Sequence, residues 1–329
     1  MIKKFLVVAT LAICALFVFV ACGGDNDGGG EITSVTLVDF SWDSILVHNR
    51  IVANILEGAF GVDVNFVQAE SAPGLLGLTN GDVDIAMEVW IDNRADWFDE
   101  HSGNTIVPFG SVFSGETTEG WFVPYYIEEI IGVPITSVHC LVEHWELMKV
   151  DGELATFFNA PTGWNSHEIN RARFYAYGLE GLFNLTDPGS SAALDIAIIG
   201  EFERRVPFVM FYWSPTALLG RLDMIHLEEP PHNPDTWNFE GGFASAYPGA
   251  RVFKLVNKEF YDNPNSDDIL EVIRNYQIYV PHINRLLYEQ EESGLSYDEF
   301  VRQLMLEDDF WHVFVPANYV QNVITHLNR

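Results

Sequence analysis

Basic residues and cysteines are scarce in this chain. Against 47 Asp and Glu stand 17 Lys and Arg, only five of them Lys, so the formal charge is −30 over 329 residues. A surface of that sign repels a phosphate backbone and an anionic bilayer, which argues against nucleic acid as a partner. Three Cys are too few for a disulfide-stapled scaffold, so stability must come from a packed interior. Catalytic signatures are missing as well: there is no Gly-x-Ser-x-Gly elbow, no His-Glu-x-x-His pair and no Gly-rich phosphate loop. What is present is apolar (48%) and aromatic (14%), a composition that folds and does not stay disordered. A chain of this length approaches the limit of a single core, so two lobes are expected.

The N-terminal thirty residues read as an address. Met1 to Lys4 supply a basic start, Phe5 to Ala21 an almost unbroken apolar stretch, and the run Phe19-Val20-Ala21-Cys22 resembles the lipobox of bacterial lipoproteins. That resemblance implies a signal peptide over 1–21 and a lipidated Cys22, followed by a Gly- and Asp-rich flexible tether over 22–31. The alternative is an uncleaved membrane anchor. Both readings put the body outside the cytoplasm at the cell membrane. With Cys14 lost and Cys22 lipidated, Cys140 has no disulfide partner within the chain.

From residue 32 onward, β-branched runs alternate with helical periodicity, the pattern of an α/β protein with crossover helices. Strands are expected at 34–40, 62–67 and 84–89, with helices at 43–57, closing near Gly58, and at 72–80. A second set comes next: strands at 120–124, 208–213 and 222–227, with helices at 137–148 and 190–205. The run Glu228-Glu229-Pro230-Pro231-His232-Asn233-Pro234 favours extended backbone and is expected to cross between lobes. The expected division is lobe I from 32–120 plus 232–329 and lobe II from 121–231. A strand near 251–256 and helices near 268–278, 282–292, 297–306 and 314–327 complete the reading. In open α/β sheets ligands bind beyond the carboxyl ends of strands, so the cleft between lobes is the expected site.

Three of the nine Trp residues fall at or just past predicted strand ends: Trp42, Trp90 and Trp213. Strand ends of one sheet converge on one rim, and indole faces attract quaternary ammonium ions, which have no N–H to donate. Core or lid packing is the alternative for each of them.

Gly81-Asp82-Val83-Asp84-Ile85-Ala86-Met87-Glu88-Val89-Trp90, Gly120-Trp121-Phe122-Val123-Pro124-Tyr125-Tyr126 and Phe208-Val209-Met210-Phe211-Tyr212-Trp213-Ser214-Pro215 occur in this order. With Trp42-Asp43-Ser44, Gly163-Trp164-Asn165 and Gly189-Ser190-Ser191-Ala192, they resemble the substrate-binding protein of glycine betaine, proline betaine and choline ABC importers, over about residues 32–328. The resemblance implies a two-lobed periplasmic-binding-protein fold, of the Venus flytrap kind and type II. It implies a non-enzymatic receptor that presents a methylated ammonium compound to a membrane permease, with no cofactor and no metal. It also implies a cage built from Trp42, Trp90 and Trp213, to which Trp121 or Tyr125 adds a wall from the second lobe.

The polar end of the ligand has two candidate readers. Backbone N–H groups near Ser44 and Ile45, at a helix start, suit a carboxylate. Asp43 suits a choline hydroxyl or the ammonium instead, or else caps its helix. Thr216 stands where many family members carry a His, which favours a ligand without a carboxylate. Glu88 shares a strand face with Trp90 and either adds negative potential or pairs with an Arg. Two further readings stay open: an amino acid or other amine in the same fold, and an extracellular hydrolase. His139 and Glu143, four apart on a predicted helix, have metal-ligand spacing, and an ordinary partly exposed helix face accounts for the same pattern.

Overall fold

Residues 31–115 and 117–329 are described by the computed structural model, so the expected signal segment, Cys22 and most of its tether lie outside the described residues. Valine- and isoleucine-rich runs become strands, in chain order β1 (Ser34–Asp39), β2 (Asp63–Gln68), β3 (Ile85–Trp90), β4 (Ile106–Ser111), β5 (Phe113–Ser114), β6 (Thr118–Pro124), β7 (Thr156–Phe158), β8 (Asn184–Thr186), β9 (Phe208–Ser214), β10 (Met224–His226), β11 (Val252–Asn257) and β12 (Ile278–Tyr279). They form two five-stranded sheets, β2-β1-β3-β11-β4 and β10-β6-β9-β7-β8, with β5 and β12 as a separate pair. The chain is therefore α/β and two-lobed, and the first lobe is closed by a strand that returns from beyond the second.

Parallel pairing of β1 with β2 and β3 follows from helical crossovers. The first helix, Asp43–Phe60, buries Ile45, Val47, Ile51, Val52, Ile55 and Leu56 between that sheet and the C-terminal helices. It runs past the expected stop at Gly58. Gly61, at φ +70°, ends it instead by donating its N–H to the Glu57 carbonyl. Gly58 serves packing, since a Cβ there would stand 2.7 Å from Val323 Cα of the C-terminal helix. That last helix is also shorter than expected, Val320–Leu327 after a turn at Phe310–Phe314, because Pro316 cannot continue a helical ladder.

Strand direction decides which residues of the second lobe reach the space between the sheets. β6 runs antiparallel to β9, with Glu119 opposite Trp213, while β7 runs parallel to β9. The second sheet begins at Thr118. Residues 232–247, the end of the proline-rich run and the stretch that follows it, stay on the second lobe. Tyr247 Oη donates to Asn170 Oδ1 at 3.1 Å, and Trp237 lies 5.0 Å from the Tyr247 ring. The return to the first sheet is thus made just before Val252, later than the run of prolines suggests. Among the described residues no helix is long and apolar enough to cross a membrane.

Candidate functional site

A chamber lies between the two sheets, and the ends of β1, β3 and β9 furnish its aromatic walls. Trp42 follows β1, Trp90 ends β3 and Trp213 stands one residue before the end of β9, and all three line it. Trp42 stacks on Phe40, with ring centroids 4.7 Å apart and planes 12° apart. Trp213 is stacked at 4.5 Å on Tyr212, whose hydroxyl donates to Asp195 Oδ1 at 2.5 Å. Trp42 and Trp213 are thus each held by a neighbouring ring, which fixes the indole orientation at little further entropy cost.

Trp164 joins the walls of the two lobes. It sits edge-on to Trp42 (5.2 Å) and to Trp213 (4.8 Å), and its Nε1 donates to Ser41 Oγ at 2.9 Å, which in turn donates to Glu70. Gly163, at φ +97°, brings this turn close enough that a Cβ would meet Glu70 at 3.2 Å. A second tie across the cleft runs from Asn93 Nδ2 to both Glu119 oxygens, at 3.0 and 2.9 Å. A third pairs Arg221 with Glu291 at 2.6 Å, at the surface.

Three charged side chains line the chamber: Glu88, Glu119 and Arg94. Glu88 is fully buried and meets no Arg or Lys among the described residues. Ser44 Oγ donates to both of its oxygens (3.0 and 2.8 Å), Trp90 Nε1 donates to one (3.1 Å), and His48 Nε2 stands 3.7 Å away. Burial pushes the Glu88 carboxyl up to about 7 despite these donors. Trp42 Nε1 makes no hydrogen bond of normal geometry, although it lies close enough to Glu88 to favour its charged form. His48 is kept neutral, its pKa lowered to about 3 by burial and by nearby Lys254, and its Nδ1 pairs with Tyr276 Oη at 2.8 Å. Glu119, 9% exposed, is likewise raised to about 7 by burial, with Asn93 and Arg173 opposing. Arg94 is half-buried, makes no hydrogen bond or ion pair among the described residues, and has a buried Nε without an acceptor.

The structure brings Trp42, Trp90 and Trp213 together, and the other expected site residues fall elsewhere. Ser44 is off the lining and supports Glu88 from behind. Asp43 is also off it, next to Tyr297 and Glu291, where burial raises its pKa. It does not cap its helix, since Trp42 holds the N-cap position without a side-chain bond. Trp121 is fully buried inside the second lobe, where its Nε1 donates to Asn170 Oδ1 at 2.7 Å. Tyr125 is 45% exposed and packs on Tyr126 and Phe202. These two corrections share one cause. Because β6 is antiparallel to β9, its beginning faces the chamber and its end points away, so it contributes Glu119 to the lining in place of Trp121 or Tyr125.

Glu119, Trp164, Asn93 and Arg94 are among the lining residues that sequence reasoning missed. The available signals were Gly163 before Trp164 and Gly120 after Glu119, where a Cβ would collide with His226 Nε2. No group of three or more His, Cys, Asp or Glu side chains is placed to hold a metal among the described residues, and Glu143 lies beside His144 at 3.9 Å.

Residues 33–307 match the family described as the substrate binding domain of the ABC-type glycine betaine transport system. The chain belongs to this family. It is a transporter substrate-binding domain and not an enzyme. Similar solved structures include the glycine/betaine/L-proline-binding protein ProX of Borrelia burgdorferi, 16% identical with a TM-score of 0.72 over 88% of this chain and 99% of that one. An ABC-transporter choline binding protein in complex with choline is 13% identical, with a TM-score of 0.71 over 90% and 97%. Lactococcal OpuAC, closed on glycine betaine, is 16% identical, with a TM-score of 0.64 over 90% and 99%. At these identities the likeness speaks for the fold, and it agrees with the two-lobed architecture of this substrate-binding domain.

Proposed function

We propose that this domain binds a methylated ammonium compound of the glycine betaine or choline type between its lobes and hands it to an ABC permease. One observation carries the reading: indoles from both lobes surround one chamber, and among the described residues no Lys or Arg covers the faces of Trp42, Trp90 or Trp213. Such faces attract a large, weakly hydrated cation by roughly 0.5–2 kcal/mol each. Three ties join the lobes across the cleft in this structure, Trp164 to Ser41, Asn93 to Glu119 and Arg221 to Glu291, as a closed chamber requires.

Calorimetric titration of the purified protein with choline and glycine betaine, with an uncharged sugar as control, tests this. Saturable binding of at least one quaternary compound and none of the sugar is the expected result. Trp42→Ala, Trp90→Ala and Trp213→Ala are each expected to weaken it by roughly 3- to 30-fold, the range of one cation–π contact. Unchanged affinity in all three removes the cage.

The extracytoplasmic setting follows from the importer role, and the lipobox-like run supports anchoring through a lipidated Cys22. Metabolic labelling with a radioactive fatty acid is expected to mark the wild-type chain and not Cys22→Ser.

A further inference from the structure

The two kinds of charge in the chamber are satisfied unequally. Both carboxylates are met by donors from the protein itself: Glu88 by Ser44 and Trp90, Glu119 by Asn93. Arg94 is not met. It follows β3 in the turn Ile91–Arg94, one residue beyond Asn93, and no carboxylate among the described residues lies within ion-pair distance of it. Its neighbour Asp92 is already engaged by Arg251, through both the side chain and the backbone N–H. The Arg94 Nε is buried and has no acceptor. A guanidinium does not escape such a position by losing its proton, so its charge stands in the chamber wall with no acid of the described residues to answer it.

Resting on the proposed ammonium-binding function, we infer that Arg94 is a ligand-contacting residue that reads a carboxylate, so that the chamber selects a zwitterionic quaternary ammonium compound over one ending in a hydroxyl. The ammonium end lies against the indoles and the carboxylate end against Arg94. A zwitterion fills the charge pattern of the walls, whereas choline closes the lobes over an unanswered guanidinium. Sequence reasoning favoured a carboxylate-free ligand because Thr216 replaces a frequent His. Arg94 supplies a cation from the opposite lobe, and this removes the reason for that preference.

Calorimetry on the full-length protein with glycine betaine, choline and glycine betaine methyl ester tests the inference, with Arg94→Gln and Arg94→Lys beside the wild type. Wild type is expected to bind glycine betaine at least about tenfold more tightly than choline or the ester, the scale of one charge-assisted hydrogen bond. Arg94→Gln is expected to lose about 10- to 100-fold on glycine betaine and to change choline by less than about threefold, with Arg94→Lys in between. The ester comparison uses wild-type protein alone, so it stands even if a variant folds poorly. Equal affinity for glycine betaine and its ester, or parallel losses for betaine and choline in Arg94→Gln, overturns the role of Arg94 while leaving ammonium binding intact. Failure of wild type to bind any of the three overturns the ammonium reading itself, and the inference with it.

Discussion

Two aromatic boxes stand out among the described residues, and one of them is filled by the chain's own cation. In the second lobe the guanidinium of Arg173 lies 4.7 Å from the Trp121 ring and 4.6 Å from Tyr247, with Tyr177 and Trp237 each at 5.9 Å. Its charge is answered by Glu229, and Asn170 stands 3.3 Å away. The other box, between the lobes, has Trp42, Trp90, Trp164 and Trp213 for walls and Glu88 and Glu119 for its acids, and no basic side chain lies over those indole faces among the described residues. The filled box lies within one lobe and its return segment, and it holds Trp237, Tyr247 and Glu229 of that segment to the sheet. The open box is split between lobes. Similar residue types therefore do different work according to whether one lobe or two must come together around them.

The largest test of this contrast is Arg173→Met. It leaves the Glu229 side chain, 3% exposed, buried without its partner, and the expected loss is on the order of 3–5 kcal/mol in urea unfolding. The fraction that remains folded is still expected to bind ligand. Abolished binding in protein shown to be fully folded would mean that the two boxes are one functional unit.

Glu119 faces the open box and yields a smaller effect with a defined sign. Its ordinary carboxyl value is 4.5 and burial raises it to about 7 in the folded state. Between those values the native protein holds a proton that the unfolded chain releases, so this group makes stability fall as pH rises from about 4.5 to 7 and adds no further slope above. Glu88, raised in the same way, contributes in the same direction. Glu119→Gln is expected to flatten the loss of stability across that window, measured by thermal melts at pH 5, 6, 7 and 8. An unchanged slope would assign the pH response to other groups.

The smallest expected effect belongs to Tyr125. Because it points away from both boxes, Tyr125→Ala is expected to leave ligand affinity unchanged and stability within about 0.5 kcal/mol. A loss of affinity comparable to that of the Trp42, Trp90 or Trp213 variants would place the chamber elsewhere.

Much of the architecture was legible because parallel β-α-β units write their periods plainly: 34–40, 43–57 and 84–89 all lie within one to three residues of observed element ends. The Trp residues at the ends of β1, β3 and β9 were legible for the same reason, since ligand sites gather at such ends. Trp121 and Tyr125 misled because strand direction is not written in a strand's own residues. Only the partner across the sheet reveals that β6 enters from the chamber side. Trp164 was hidden in a loop with no periodicity, before a helix, Asn165–Ala176, whose mean character is polar. Arg94 was one arginine among several, and what distinguishes it is that no partner meets it among the described residues, a property of three-dimensional surroundings alone.

If the open box is a cage, it recognises a positive charge through ring faces and not merely a bulky apolar group. Glycine betaine and 3,3-dimethylbutanoate differ by a carbon in place of the ammonium nitrogen and are alike in shape and in their carboxylate. Calorimetric titration of the wild-type protein with both separates charge from bulk in a single comparison. Glycine betaine is expected to bind at least about tenfold more tightly, as befits a cation held by several aromatic faces. Equal affinity would refute the cage and leave the chamber as an apolar pocket indifferent to charge.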